Sequence, residues 1–188
     1  AKVRFGVTSE TLDPESEVVA IEGGKERMIE EADIKTVLSE KFAGKIQQVP
    51  PKYSALKVNG KKMYELAREG KEIEIKSREA EIFETKIIDH ESPYLDIEIT
   101  AAAGFYVRSF ARDLAQALGS DGICWELRRT KVGDLRVSDN RWEVKNEEDL
   151  QTGEKDSFSL IDPKEILKIP QIEIEKERLD DFCGGRAF

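Results

Sequence analysis

Histidine is nearly missing from this sequence: His90 is the only one in 188 residues, and there are only two cysteines, Cys124 and Cys183. A site that needs two histidines is excluded, and a Cys/His zinc cluster lacks ligands. Two cysteines cannot build a disulfide framework, which points to a reducing, cytoplasmic setting. Long apolar runs are missing too, so nothing within these residues reads as a membrane span or a secretory signal. Basic charge is the minority sign: 30 Lys and Arg stand against 39 Asp and Glu, a net charge of −9. A polycation that holds nucleic acid by overall charge is thereby excluded, whereas a local basic stripe is not. An initiating Met is lacking, Ala1 opens straight into a strand pattern, and Cys183–Phe188 ends without a closing element. Such ends fit either a piece of a longer protein or trimmed tails, and a chain of this size buries about 70% of its unfolded surface without staples.

What is present is a mixture of two periodicities. Lys2–Val7 alternates basic and apolar residues, the run 79–89 is rich in alternating β-branched and charged residues, and 94–101 sets Leu95, Ile97 and Ile99 against Asp96, Glu98 and Thr100. These are strand patterns, and the segment 131–137 is expected to join them in one largely antiparallel sheet. Shorter strands are expected at 18–22 and 72–75, with a polar turn at 8–17. Helical spacing marks 32–42 (Ile34, Val37, Leu38, Phe42), 61–69 (Met63, Leu66, Ala67) and 107–118 (Phe110, Leu114, Leu118), each followed by glycine. Strands and helices come in mixed blocks without strict alternation. The expected fold class is α+β, a mixed, mostly antiparallel sheet with packed helices.

Three segments carry chemistry-bearing residues. The first runs from Gln47-Gln48-Val49-Pro50-Pro51-Lys52-Tyr53-Ser54-Ala55-Leu56-Lys57 to Tyr64-Glu65-Leu66-Ala67-Arg68-Glu69-Gly70. With Lys71 just after it, it concentrates Lys52, Lys57, Lys61, Lys62 and Arg68 around Tyr53 and Tyr64, a composition that suits either phosphate contacts with base stacking or a solvated helix face. The second is Gly104-Phe105-Tyr106-Val107-Arg108-Ser109. It places Arg108 in the first turn of a helix, where the positive helix end disfavours a cation, which suits either a specific anionic partner or an arginine that snorkels beside a core Tyr. The third is Leu127-Arg128-Arg129-Thr130-Lys131-Val132-Gly133, whose paired arginines suit phosphates or plain surface.

In this order the three segments resemble the TruB family of bacterial tRNA pseudouridine synthases. The resemblance rests on Gln-x-x-Pro-Pro-x-Tyr-Ser-Ala-x-Lys with Tyr-x-x-Ala-Arg-x-Gly, on Gly-x-Tyr-x-Arg-Ser, and on Leu-Arg-Arg-Thr-x-Val-Gly. The guide-RNA relatives of archaea and eukaryotes carry a different Pro-Pro segment and are the second choice. Val3-Arg4-Phe5-Gly6 with Thr11 and Asp13 is similar to the family's strand and acidic turn, and Ile161-Asp162-Pro163 with Gly185-Arg186-Ala187 to the join with its C-terminal RNA-binding region. Residues 1–168 would then be part of the catalytic domain and 169–188 the start of that RNA-binding region.

The resemblance implies isomerisation of uridine 55 in the tRNA T-loop to pseudouridine, without metal or organic cofactor, by an aspartate nucleophile acting on a flipped base. The partner implied is the tRNA T-arm, with no membrane and no protein partner. Arg108 would orient the nucleophile, Tyr106 and Leu127 would bind the substrate nucleoside, and Lys57, Lys61 and Arg129 would contact RNA. The family's nucleophile motif, Gly-x-Leu-Asp-Pro-x-Ala-Thr-Gly, does not occur in these 188 residues, so the chain alone is expected to be inactive. Thr11-Leu12-Asp13-Pro14 imitates part of that motif, but Glu15-Ser16-Glu17 follows it, and Asp13 falls in the acidic turn instead. Ala101-Ala102-Ala103 also departs from the family's usual Ser and Lys. A catalytically inactive tRNA-binding or RNA-chaperone module, and a generic domain whose basic cluster is mere surface, are the alternative readings.

Overall fold

The computed structural model describes residues 1–21, 28–54, 57–58, 61–62, 75–137, 174–179 and 183–184, with 57–58 and 61–62 as backbone only. The chain forms two units, Ala1–Arg128 and Arg129–Phe188. The first holds a five-stranded sheet made of β1 (Lys2–Phe5), β4 (Gly44–Gln48), β7 (Arg78–Glu91), β8 (Tyr94–Ala101) and β9 (Gly122–Glu126), in the order β4-β7-β8-β1-β9. Every neighbouring pair is antiparallel. Around it stand β2 (Val7–Thr8), β3 (Val19–Ala20), β5 (Lys57–Val58), β6 (Lys61–Lys62) and the helices α1 (Glu31–Lys41) and α2 (Val107–Ala117). The α+β class expected from the two periodicities is the one observed.

Alternation explains the sheet's inner face. Val3, Phe5, Ile82, Leu95 and Ile97 are buried on it, while the residues between them in β8, such as Asp96 and Glu98, turn outward. The helix α2 lays Phe110, Ala111, Leu114 and Ala115 into the same core. Burying a Phe or Leu side chain contributes about 1.5–3 kcal/mol, so this stripe holds the helix in place. Close approach is possible because β9 opens on Gly122, where a Cβ would lie 2.8 Å from the Ala115 Cβ and 3.1 Å from the Arg4 carbonyl oxygen. On the other side Phe42, just past α1, meets Phe110 edge to face with centroids 5.2 Å apart. The pairing of Ile34 with Leu38 on one side of α1 and the Glu31–Lys35 ion pair on another account for that helix.

Two expectations about elements are corrected. Lys131–Val137 does not add a strand to the sheet. Gly133 takes φ +58, the chain reverses, and β10 (Lys131–Val132) pairs with β11 (Leu135–Arg136) as a hairpin within the second unit. Lys61–Lys62 does not start a helix but pairs with Lys57–Val58, Lys57 opposite Lys62. The rest of the expected 61–69 helix lies outside the described residues, as do 72–74 of the expected 72–75 strand. The second unit also shows a short 3-10 turn at Lys176–Arg178. Among the described residues no helix is long and apolar enough to cross a membrane.

Candidate functional site

The site is built where the polar turn at 8–17 meets the N-terminus of α2. The turn is tied by its own side chains. Ser9 Oγ donates to the Asp13 carbonyl at 2.7 Å, Thr11 N–H donates to Ser16 Oγ at 3.1 Å, and Asp13 Oδ1 accepts from Glu15 N–H at 3.1 Å and from Thr11 Oγ1. This is the behaviour of short polar side chains that compete with regular structure. Leu12 sits in the left-handed region at φ 62, and its carbonyl accepts from Cys124 N–H of β9 at 3.0 Å. A branched side chain there costs of order 1–2 kcal/mol, so the surrounding bonds hold the turn in that shape.

Arg108 reaches into this turn. Its Nη1 donates to Asp13 Oδ2 at 2.8 Å and to the Thr11 carbonyl at 3.2 Å, and its Nη2 donates to the Tyr53 carbonyl at 2.9 Å. The two side chains of the ion pair keep 28% (Arg108) and 15% (Asp13) exposure. Three of the guanidinium's five N–H groups are thus engaged with described residues, and the planar fork can still donate to another oxygen. The anionic partner that the first helical turn demanded of Arg108 is Asp13, the acid of the turn.

Residues 48–54 hold the other side of α2. Gln48 is buried at 2% exposure. Its Nε2 donates to the Tyr106 carbonyl at 3.0 Å, and its Oε1 accepts from Tyr106 N–H at 2.8 Å. The Val49 carbonyl accepts from Ser109 Oγ at 2.8 Å and from Arg112 Nη2 at 3.0 Å. Pro50 and Pro51 are fully buried, and Tyr53 Oη donates to Glu10 at 2.7 Å, tying this segment to the turn. Asp113, beside Arg112, has its carboxyl pushed up by burial, against the opposing pull of that arginine.

Of the residues singled out in the sequence, the structure brings Tyr106 and Arg108 together at the start of α2, Tyr106 as its extended N-cap with φ −109 and ψ 107. Leu127 lies just beyond β9 and is 59% exposed, an apolar side chain in contact with solvent. Lys57 and Lys61 sit on the two strands of the β5–β6 hairpin. Arg129 is exposed and opens the second unit. Gln48, Tyr53 and Asp13 were not read as members of the site. Gln48 and Tyr53 stand in the Pro-Pro segment and Asp13 in the acidic turn, but no local pattern says that Gln48 meets Tyr106 while Tyr53 and Asp13 meet Arg108.

The chain is similar to several known proteins. The family profile described as TruB family pseudouridylate synthase, N-terminal domain, matches residues 1–107. A Clostridium kluyveri protein named tRNA pseudouridine synthase B is 43% identical over 143 residues, 74% of this chain and 47% of that one. Proteins of the same name from Clostridium tetani (33% identical, 94% of this chain, 58% of that one) and Trichormus variabilis (37% identical, 100% of this chain, 64% of that one) are also similar. The chain spans about half to three-fifths of the length of such relatives. Among solved structures, a Cbf5-Nop10-Gar1 complex is similar at TM-score 0.47 and 22% identity, over 72% of this chain and 31% of that one.

Proposed function

Because the chain belongs to the TruB family of pseudouridylate synthases, we propose that it is the part of a tRNA pseudouridine synthase that orients the nucleophile and receives the base, acting on uridine 55 of the T-loop in the cytoplasm. The observation that carries this reading is Arg108, a guanidinium fixed at a helix N-terminus by Asp13, Thr11 and Tyr53 with donors to spare.

The reaction breaks the bond from C1′ to N1 of uridine, turns the base, and joins C1′ to C5. N1 gains a hydrogen and the hydrogen on C5 leaves as a proton, so the exchange is redox-neutral. An attacking carboxylate must be ionised and aimed, and both needs are met by an arginine whose position is fixed from three directions. The N-terminal end of α2 adds its partial positive charge at the same place. Tyr106, with its backbone locked by Gln48, would stand against the flipped base, and the exposed Leu127 would supply apolar wall. Lys57, Lys61 and Arg129 would contact RNA phosphates. Residues 1–168 would belong to the catalytic domain and 169–188 to the start of an RNA-binding region, a join that lies outside the described residues.

Asp13 is not assigned as the nucleophile. Its Oδ1 already accepts from Thr11 Oγ1 and Glu15 N–H and its Oδ2 from Arg108, so both oxygens are occupied in holding the turn. The test is release of tritium from T-arm RNA labelled at C5 of uridine. The complete product of the gene should release it and the 188-residue chain alone should not. Tight tRNA binding without release by the complete product would favour the RNA-chaperone reading.

A further inference from the structure

We infer that Gln48 is a positioning residue for Arg108, acting through the backbone of Tyr106. The inference rests on the reaction proposed above and extends it to a residue that touches neither the base nor the reacting carboxylate.

A fully buried amide must satisfy both its donor and its acceptor, and the choice of partners is informative. Gln48 spends one bond from each end of its amide on a single residue 58 positions away, closing a ring with Tyr106 N–H and C=O like that of two paired strand residues. Tyr106 needs such a partner. It caps α2 in an extended conformation with no side-chain hydrogen bond of its own to the helix, and its carbonyl also accepts the first helical bond, from Phe110 N–H at 3.0 Å. The Gln48 amide therefore fixes the point from which α2 starts, and Arg108 departs two residues later. Gln48 cannot drift, because β4 pairs it with Arg78 of β7 on one side and the buried Pro50 and Pro51, with preset φ, follow it on the other. The segment it leads also supplies the Tyr53 carbonyl that takes one Arg108 donor. Strand register is thereby transmitted to the direction of one guanidinium.

Two substitutions in the complete gene product test this, with turnover and KM measured on T-arm RNA. Gln48→Leu keeps bulk and removes both bonds. It should lower kcat about tenfold with KM changed less than about twofold, as expected for a misaimed group and not for lost binding. Gln48→Glu keeps the acceptor for Tyr106 N–H, but its second oxygen, when ionised, faces the Tyr106 carbonyl; when protonated it donates there as the amide did. Burial raises the pKa of such a carboxyl, so turnover relative to the unsubstituted protein should climb at least about threefold from pH 8 to pH 6. A residue that only stabilises the fold would lower melting temperature without that pH dependence. A Gln48→Leu protein that is folded and turns over normally would overturn the inference, as would a flat pH ratio for Gln48→Glu. If the unsubstituted protein forms no pseudouridine, the proposed reaction fails by itself. The positioning claim is then decided by hydrogen exchange at the Arg108 Nη–H groups that Asp13, Thr11 and Tyr53 hold, which should quicken about tenfold in Gln48→Leu and would refute the claim by staying constant.

Discussion

Asp13 and Arg108, 95 residues apart, form a partly buried ion pair of 2.8 Å that joins the polar turn of the first unit to the start of α2. An arginine in a first helical turn is disfavoured by the helix end and is retained where an anion holds it. Asp13 does so here while leaving part of the guanidinium accessible.

The pair makes separable predictions for Asp13→Asn and Asp13→Ala. The side-chain amide introduced by Asp13→Asn keeps one acceptor oxygen in place of two, so it can accept from Glu15 N–H or from Arg108 but cannot serve both positions, and it carries no charge. Turnover of the complete gene product should drop roughly tenfold, and stability by about 1 kcal/mol after allowing for solvent screening of a partly exposed pair. Product should remain measurable in both variants. Complete loss of product in Asp13→Asn with the fold intact would show that Asp13 itself attacks the base.

Packing at β9 predicts a different kind of failure. Gly122→Ala places a methyl 2.8 Å from the Ala115 Cβ and 3.1 Å from the Arg4 backbone oxygen, neither of which is the end of a flexible side chain. Urea unfolding should show a loss of about 1–3 kcal/mol. Unchanged stability would mean that α2 does not approach β9 as closely as described.

The two thiols should differ in reactivity. Cys183 is exposed, whereas burial pushes the Cys124 thiol up to about 11. At pH 8 a disulfide reagent should titrate one thiol quickly and the second only on unfolding. The raised pKa has a stability consequence: the Cys124 contribution is complete below its ordinary value of 9.0 and is lost as pH rises through about 11. The alkaline decline should therefore be shallower in Cys124→Ala, and identical slopes would contradict this.

Much of the fold was legible because its periodicities are clean. The strands β1, β7 and β8 alternate, and α1 and α2 carry apolar residues three and four apart. The strand β4 escaped notice because Gly44-Lys45-Ile46-Gln47-Gln48 has one apolar residue and sits at a sheet edge, where little needs to be buried. The strand β9 escaped because Gly122–Cys124 is buried without alternation. In the site, Tyr106 and Arg108 could be read from a local motif and its family resemblance. Asp13, Gln48 and Tyr53 converge on them across 95, 58 and 55 residues, a convergence set by sheet register that no local window contains.

The proposed RNA binding by so acidic a chain would depend on local basic residues. Arg129→Ala and Lys57→Ala should each flatten the dependence of tRNA affinity on salt by about one unit of log–log slope while leaving turnover at saturation nearly unchanged. A slope that neither variant alters would remove both residues from the interface.

The central claim is that Arg108 aims the attacking carboxylate, and its most direct test is the turnover of Arg108→Lys in the complete gene product, measured by tritium release at saturating T-arm RNA. Lysine keeps the charge and loses the planar fork that here satisfies Asp13, Thr11 and Tyr53 together. One charge-assisted contact is worth about 1.5–3 kcal/mol, so turnover should fall roughly ten- to a hundredfold while tRNA affinity changes by less than about threefold. Turnover equal to that of the unsubstituted protein would contradict the account.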